Sequence, residues 1–138
     1  MSLYLLSANE VLKIPFFNCS VSAGFPSPAD DYIHRGLDLN QYLIQRPSST
    51  FFFRMKNDAM IRGGIFAGSL LIVDRSLEPR NNKIIVFQYE GEFLVRRYTA
   101  KDRLITLFAE NKNYPNITVT QDSSFLLWGV VTSVIHQL

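Results

Sequence analysis

From residue 50 onward the chain falls into seven short segments rich in Val, Ile, Phe, Tyr and Thr, each fenced by turn formers. This cadence constrains the fold more than any other feature. The segments are 50–55, 69–74, 83–89, 92–98, 103–108, 117–120 and 125–136, separated by Gly63-Gly64, Glu78-Pro79, Glu90-Gly91, Asn111-Lys112-Asn113 and Gln121-Asp122. β-Branched and aromatic side chains suit a pleated, half-buried surface, while Gly, Pro, Asn and Asp relieve the backbone at reversals. The pattern predicts a mostly β fold, a curled and partly closed antiparallel sheet system with one or two short helices. The last segment, from Phe125 to Val134, is too continuously apolar for a strand with one wet face, so it is either a core strand or part of a contact with a second subunit.

Residues 1–36 lack sustained periodicity and contain Pro15, Pro26 and Pro28. Proline fixes φ and drives the preceding residue toward extended conformations, so this region is expected to be an extended arm, with a β-rich domain over 37–138. Asp38 precedes Leu39, Tyr42, Leu43 and Ile44, a spacing that predicts one short helix over 39–45 before Pro47. Asp58 ahead of Ala59-Met60-Ile61 is expected to cap a single helical turn that Gly63-Gly64 stops.

Hydrophobic residues make up 47% of the 138, and charged ones 19%, which excludes a disordered chain and predicts a self-sufficient core. A net charge of +2 is too small for a strong phosphate-seeking field, although Arg75, Arg80, Arg96, Arg97, Lys101 and Arg103 would supply a local basic face if they converged. The single cysteine, Cys19, rules out an intramolecular disulfide and a multi-cysteine zinc site, and His34 and His136 have no ligand cluster around them. No metal or cofactor is implied. No apolar run reaches the length of a bilayer span and no secretory leader is evident, so a cytoplasmic protein without membrane association is expected.

Three stretches carry a resemblance. The first is Ser22-Ala23-Gly24-Phe25-Pro26-Ser27-Pro28-Ala29 with Asp38-Leu39-Asn40-Gln41. The second is Asn57-Asp58-Ala59-Met60-Ile61 with Gly63-Gly64-Ile65 and Gly68-Ser69-Leu70-Leu71-Ile72-Val73-Asp74. The third is Gly91-Glu92-Phe93-Leu94-Val95-Arg96-Arg97 with Trp128-Gly129-Val130-Val131. In this order and approximate spacing the chain resembles the UmuD/MucA branch of the LexA-type Ser/Lys self-cleaving peptidases, from about Ile14 to its end. The resemblance implies an N-terminal arm with a scissile bond at Ala23-Gly24, a β-rich domain that carries a Ser/Lys dyad and forms a dimer, and a role beside an error-prone polymerase in the SOS response to DNA damage. By composition alone, Ala23-Gly24 is simply the flexible start of a Pro-rich turn.

At the two positions where the family places its dyad, this chain has Ala59 for the nucleophile and Arg96 for the general base. A methyl group cannot form an acyl intermediate. A guanidinium has five donors, no acceptor and a pKa above ~12, so it cannot take a proton as a desolvated neutral lysine can. Arg96 is expected to swing toward solvent or pair with a carboxylate, Asp58 being one partner. Asn57 also departs from the family's usual Gly. Ser69, Thr99, Lys56 and Lys101 are the nearest substitutes, but their spacing suits ordinary surface or turn positions.

The leading expectation is therefore a non-cleaving, UmuD-like accessory protein. It would form a homodimer or pair with a related chain, and engage a translesion polymerase subunit and the RecA filament. The double substitution fits natural degeneration or deliberate inactivation of a self-processing peptidase. A DNA-damage transcriptional regulator is the third reading. Only about 23 residues precede the expected cleavage point, too few for a helix-turn-helix, so no autonomous DNA-binding module is expected.

Overall fold

The computed structural model describes residues 11–17, 21 and 33–138, which divide between two compact units, Met1–Gln45 and Arg46–Leu138. In the N-terminal unit, β1 (Ile14–Phe17) and β2 (Ile33–Leu37) pair antiparallel, with a register shift between Ile14 and Phe16. The shift falls at Pro15, which has no N–H to give to a ladder and is confined to edges and bulges. Among the described residues of this region, the pairing of 14–17 with 33–37 was not anticipated. Helix α1 (Leu39–Leu43) follows, and the Asp38 carboxylate accepts the Asn40 N–H at 3.0 Å as its cap. Its apolar residues are not packed away, since Leu39 and Tyr42 are exposed.

The C-terminal unit holds the seven expected strands: β3 (Thr50–Arg54), β4 (Leu70–Asp74), β5 (Ile84–Tyr89), β6 (Glu92–Lys101), β7 (Leu104–Phe108), β8 (Ile117–Val119) and β9 (Phe125–Ile135). They form one antiparallel sheet in the order β3-β4-β9-β5-β6-β7-β8. Neighbouring strands lie ~4.8 Å apart, so in a flat sheet β5 and β8 would be separated by about three such spacings. Yet Phe87 on β5 shares a core cluster with Leu107 on β7 and Ile117 on β8, which requires the sheet to curl.

Both faces of the middle of the sheet are buried. Ile85, Val86 and Phe87, consecutive on β5, are all at most 1% exposed. Val86 points into a cluster with Leu71, Val73 and Val95 that is roofed by Met55, Ala59, Met60 and Ile65 from the β3–β4 connection. Ile85 and Phe87 point the other way, to Leu107, Ile117 and Val130. The apolar run of β9 is explained in part by its place between β4 and β5, with Val130 buried, while Leu126 remains 59% exposed.

Gly129 on β9 has no room for a side chain. A Cβ built there would lie 2.6 Å from Val73 Cγ1 and 3.2 Å from the Asp74 carbonyl oxygen. Val73 is β-branched and fully buried, so its χ1 has little freedom to give way. Gly129→Ala is expected to destabilise the fold by about 1–3 kcal/mol through overpacking, measured as a lowered urea midpoint with an unchanged m-value. An unaltered midpoint would show that β4 and β9 can separate freely.

Candidate functional site

The connection between β3 and β4 places Ala59. The chain leaves β3 at Arg54, and the Met55 N–H is bound to the Ser69 carbonyl at 2.8 Å, which closes the connection into a loop. At its centre the Asn57 side-chain oxygen accepts the Ala59 N–H at 3.0 Å, and the Asp58 carbonyl accepts the Ile61 N–H at 3.2 Å. A single 3-10 turn, Ile61–Gly63, then ends at Gly64 with φ of 88°. The stop came where expected. The expected Asp58 cap is corrected, since the N-cap position is Met60 with no side-chain cap, and the Asn57 bond to the Ala59 N–H closes an Asx turn just ahead of it.

Ala59 itself is fully buried. Its carbonyl accepts the Glu110 N–H at 2.9 Å, and the Glu110 carbonyl accepts the Arg62 N–H at 3.0 Å. Glu110 is in turn ion-paired with Arg97 at 2.6 Å. The segment after β7 thus clamps the Ala59 turn from outside.

Arg96 is carried by β6, paired with Ile85 of β5. The sequence reading is corrected here, since the guanidinium neither swings to solvent nor forms an ion pair with Asp58. Arg96 is only 4% exposed, and among the described residues no carboxylate lies within ion-pairing distance of it. Its NH1 donates to the Val95 carbonyl at 2.9 Å and its Nε to the Pro115 carbonyl at 3.4 Å. The guanidinium carbon sits 6.0 Å from the centroid of the Tyr114 ring. Burial pushes the guanidinium pKa below its ordinary value, and the neighbouring Tyr114 opposes that shift. The Asp58 carboxylate beside it, together with burial, holds the Tyr114 phenol above its usual range. Tyr114 therefore stands between the two groups expected to pair. Neither Tyr114 nor Pro115 was singled out in the sequence, and no periodicity links this loop to Arg96.

Beside this arrangement lies a cleft of about 470 Å³ lined by Asn57 and Arg96, with Phe53, Leu71, Val86 and Phe93 among its apolar walls. Its chemical repertoire is limited. Ala59 offers no heteroatom, Arg96 offers donors only, and the Ala59 N–H that an acyl-transfer site would turn toward a developing oxyanion is held by Asn57.

The two hydroxyl substitutes have structural duties. The Ser69 hydroxyl is fully buried and accepts the Phe66 N–H at 2.9 Å. Thr99 donates to the Thr106 carbonyl at 3.1 Å. The six basic residues do not converge as free charges, because Arg96 is buried, Arg97 is bound to Glu110, and Arg75 lies 4.2 Å over the Trp128 ring. Ala23 and Gly24 lie outside the described residues. No helix among the described residues is long and apolar enough to cross a membrane.

Comparison with known proteins places this architecture. Residues 15–132 match the model of the Peptidase S24-like family. The chain is 38% identical over 131 residues to Protein ImpA of Salmonella typhimurium, covering 95% of this chain and 89% of that protein. It is 40% identical over 126 residues to Protein MucA of Escherichia coli, covering 91% and 86%. It is 31% identical over 130 residues to the LexA repressor of Shewanella sediminis, covering 94% and 62%. A match through both the curled sheet and the turn that bears Ala59 means that the chain belongs to the Peptidase S24-like family.

Proposed function

We propose that this chain is a UmuD-like accessory protein of SOS mutagenesis that does not cut itself, and that it works by binding. The observation that carries this reading is the pair of side chains at the positions assigned to the dyad. Ala59 has nothing with which to attack a peptide bond, and the buried Arg96 has nothing with which to accept a proton. Similarity to MucA and ImpA along most of the chain supports the UmuD-like role. In this reading the protein is cytoplasmic, dimerises with itself or with a related active chain, and engages the catalytic subunit of a translesion polymerase and the RecA filament. The exposed Leu126 end of β9 is a candidate part of the dimer contact.

The direct test is incubation of the purified chain with activated RecA filament, and separately at alkaline pH, followed by intact-mass measurement. The full-length mass is expected throughout. A fragment beginning at Gly24, formed at a rate independent of protein concentration, would overturn the reading. Sedimentation equilibrium is expected to give twice the chain mass, and a single-chain mass would remove the homodimer.

A further inference from the structure

The geometry points to one end of the β domain, where the β6–β7 turn meets the turn over residues 80–83, as a contact site for the phosphate backbone of a nucleic acid. Of the six basic residues picked out along the sequence, Arg75, Arg96 and Arg97 are engaged elsewhere. The other three, Arg80, Lys101 and Arg103, are exposed, and Lys83 joins them. The ion pairs of the described residues are Arg46–Asp74 and Arg97–Glu110, so none of these four cations is neutralised by a carboxylate.

Two adjoining turns bring them together. Lys101 pairs with Leu104, which leaves Asp102 and Arg103 as a two-residue loop at the tip of β6 and β7. The Lys83 N–H is bound to the Arg80 carbonyl at 3.0 Å, closing the second turn. That turn is fastened along β6. The Lys83 carbonyl accepts the Tyr98 N–H at 2.8 Å, the Asn82 carbonyl accepts the Arg97 guanidinium at 2.6 Å, and the Asn81 side-chain oxygen accepts the Ala100 N–H at 2.7 Å, one residue before Lys101. The backbone beneath the four cations is therefore held, while their long exposed side chains are free to follow a ligand.

The tip also carries a strain that packing does not explain. Asp102 and Arg103 have φ of 53° and 65°. A two-residue hairpin loop with both residues left-handed favours Asn-Gly or Asp-Gly. The β5–β6 loop follows that rule, with Gly91 second at φ of 84°. Asp tolerates this region, whereas an arginine in it is strained. Arg103 is exposed, so no core contact requires it, and what it adds over glycine is a cation at the tip. The class of partner follows from the composition of the two turns. Residues 80–83 and 101–103 are only Arg, Lys, Asn and Asp, and the nearest acids along the chain are Glu78 and Asp102, so positive charge is in excess. A protein interface is anchored by apolar and aromatic side chains at its centre. Cations and amides without such a centre suit phosphates, which are met by point charges and hydrogen-bond donors.

The test uses the full chain and fluorescein-labelled oligothymidine, read by anisotropy over a salt series that starts near ~50 mM. The logarithm of the association constant is expected to fall against that of salt with a slope of about −3, from four contacts at ~0.7 each on a single strand. Arg103→Gly suits the left-handed position, so it is expected to keep or raise the urea midpoint while weakening oligothymidine several-fold and reducing the slope by ~0.7. Arg80→Gln is expected to weaken binding to the same degree. Lys56→Gln removes the same charge at the other end of β6, where Lys56 and Glu92 line the cleft, and is expected to leave binding unchanged. A duplex of the same length runs in parallel, and whichever of the two binds more tightly is the form of the backbone that the site takes.

Absence of measurable binding at the lowest salt, an Arg103→Gly chain that binds like the parent, or a Lys56→Gln loss as large as that of Arg103→Gly would overturn the proposal. Polyglutamate that competes as well as oligothymidine at equal charge would overturn it too, by assigning the turns to an acidic protein. This contact goes beyond the accessory role proposed above, and intact masses recorded on the same samples test inertness separately, since a cut chain leaves the Arg103→Gly comparison untouched.

Discussion

Ala59→Ser combined with Arg96→Lys is expected to split the chain between Ala23 and Gly24, while either change alone leaves it whole. In the proposed reading the serine supplies the nucleophile, and its Cβ would sit at a fully buried position on a turn fixed by Asn57 and Glu110. Alone it faces a guanidinium with no lone pair to accept its proton. The lysine inherits the buried environment that already pushes Arg96 downward, and desolvation can bring an amine from ~10.4 to near neutrality. Alone it has nothing to activate. Members of such a pair are grossly non-additive, and each single variant should be slower than the double by at least about 10³-fold.

Asn57 sets a further limit on the revived enzyme. Its side chain holds the Ala59 N–H at 3.0 Å, the donor best placed for an oxyanion. Removing one such donor from a site costs about 10²–10³ in rate. Adding Asn57→Gly to the double variant is therefore expected to accelerate cleavage by about 10-fold or more, since part of the gain is offset by a looser turn. The measurement is the rate of appearance of a fragment starting at Gly24, by intact mass at alkaline pH. If the triple variant is as inert as the parent, the loss of chemistry extends beyond these three positions.

The strands were readable because each announces itself locally. The seven segments expected from residue type match the seven strands of the sheet, with ends trimmed by one residue, such as Met55 and His136, and with β6 running three residues past Tyr98 to Lys101. Turn chemistry was readable for the same reason, as Gly64 and Gly91 take the positive φ their positions demand. What failed was anything decided by distant chain. Arg96 was expected outside because an unpaired buried cation is costly. The Val95 carbonyl, with the Pro115 carbonyl and the Tyr114 ring delivered from a loop 18 and 19 residues further on, makes the burial tolerable. Asp58 was also misjudged as a cap for a local reason, because the neighbouring Asn57 closes an Asx turn on the buried Ala59 N–H and the helical turn starts later, from Met60, without a side-chain cap.

Asp74→Asn is expected to destabilise the β domain by about 3 kcal/mol at pH 7, with a loss that shrinks as the pH falls below ~4. Asp74 ends β4 at 3% exposed. One carboxylate oxygen accepts the Ser76 N–H at 2.8 Å, the Ser76 hydroxyl at 2.7 Å and the Ser49 hydroxyl at 2.8 Å, and the other accepts Arg46 Nε at 2.6 Å. Burial by itself would raise the carboxyl pKa, but the bonds from Ser76, Arg46 and Ser49 together outweigh it and hold the group well below the ordinary carboxylate range. Arg46 is 45% exposed on its side chain, so solvent screens its charge and the short donors carry most of the effect. A carboxyl whose folded pKa is depressed binds a proton more readily when unfolded. Its stabilising contribution is complete above the unfolded value near 3.9 and is lost as the pH falls toward the folded one. Asparagine cannot accept all four donors or carry the charge, and it does not titrate. Urea midpoints of the two proteins should therefore lie far apart at pH 7 and converge below pH ~4. A gap that stays constant across that range would mean that the charge of Asp74 contributes nothing and that shape alone holds Ser49, Ser76 and Arg46 in place.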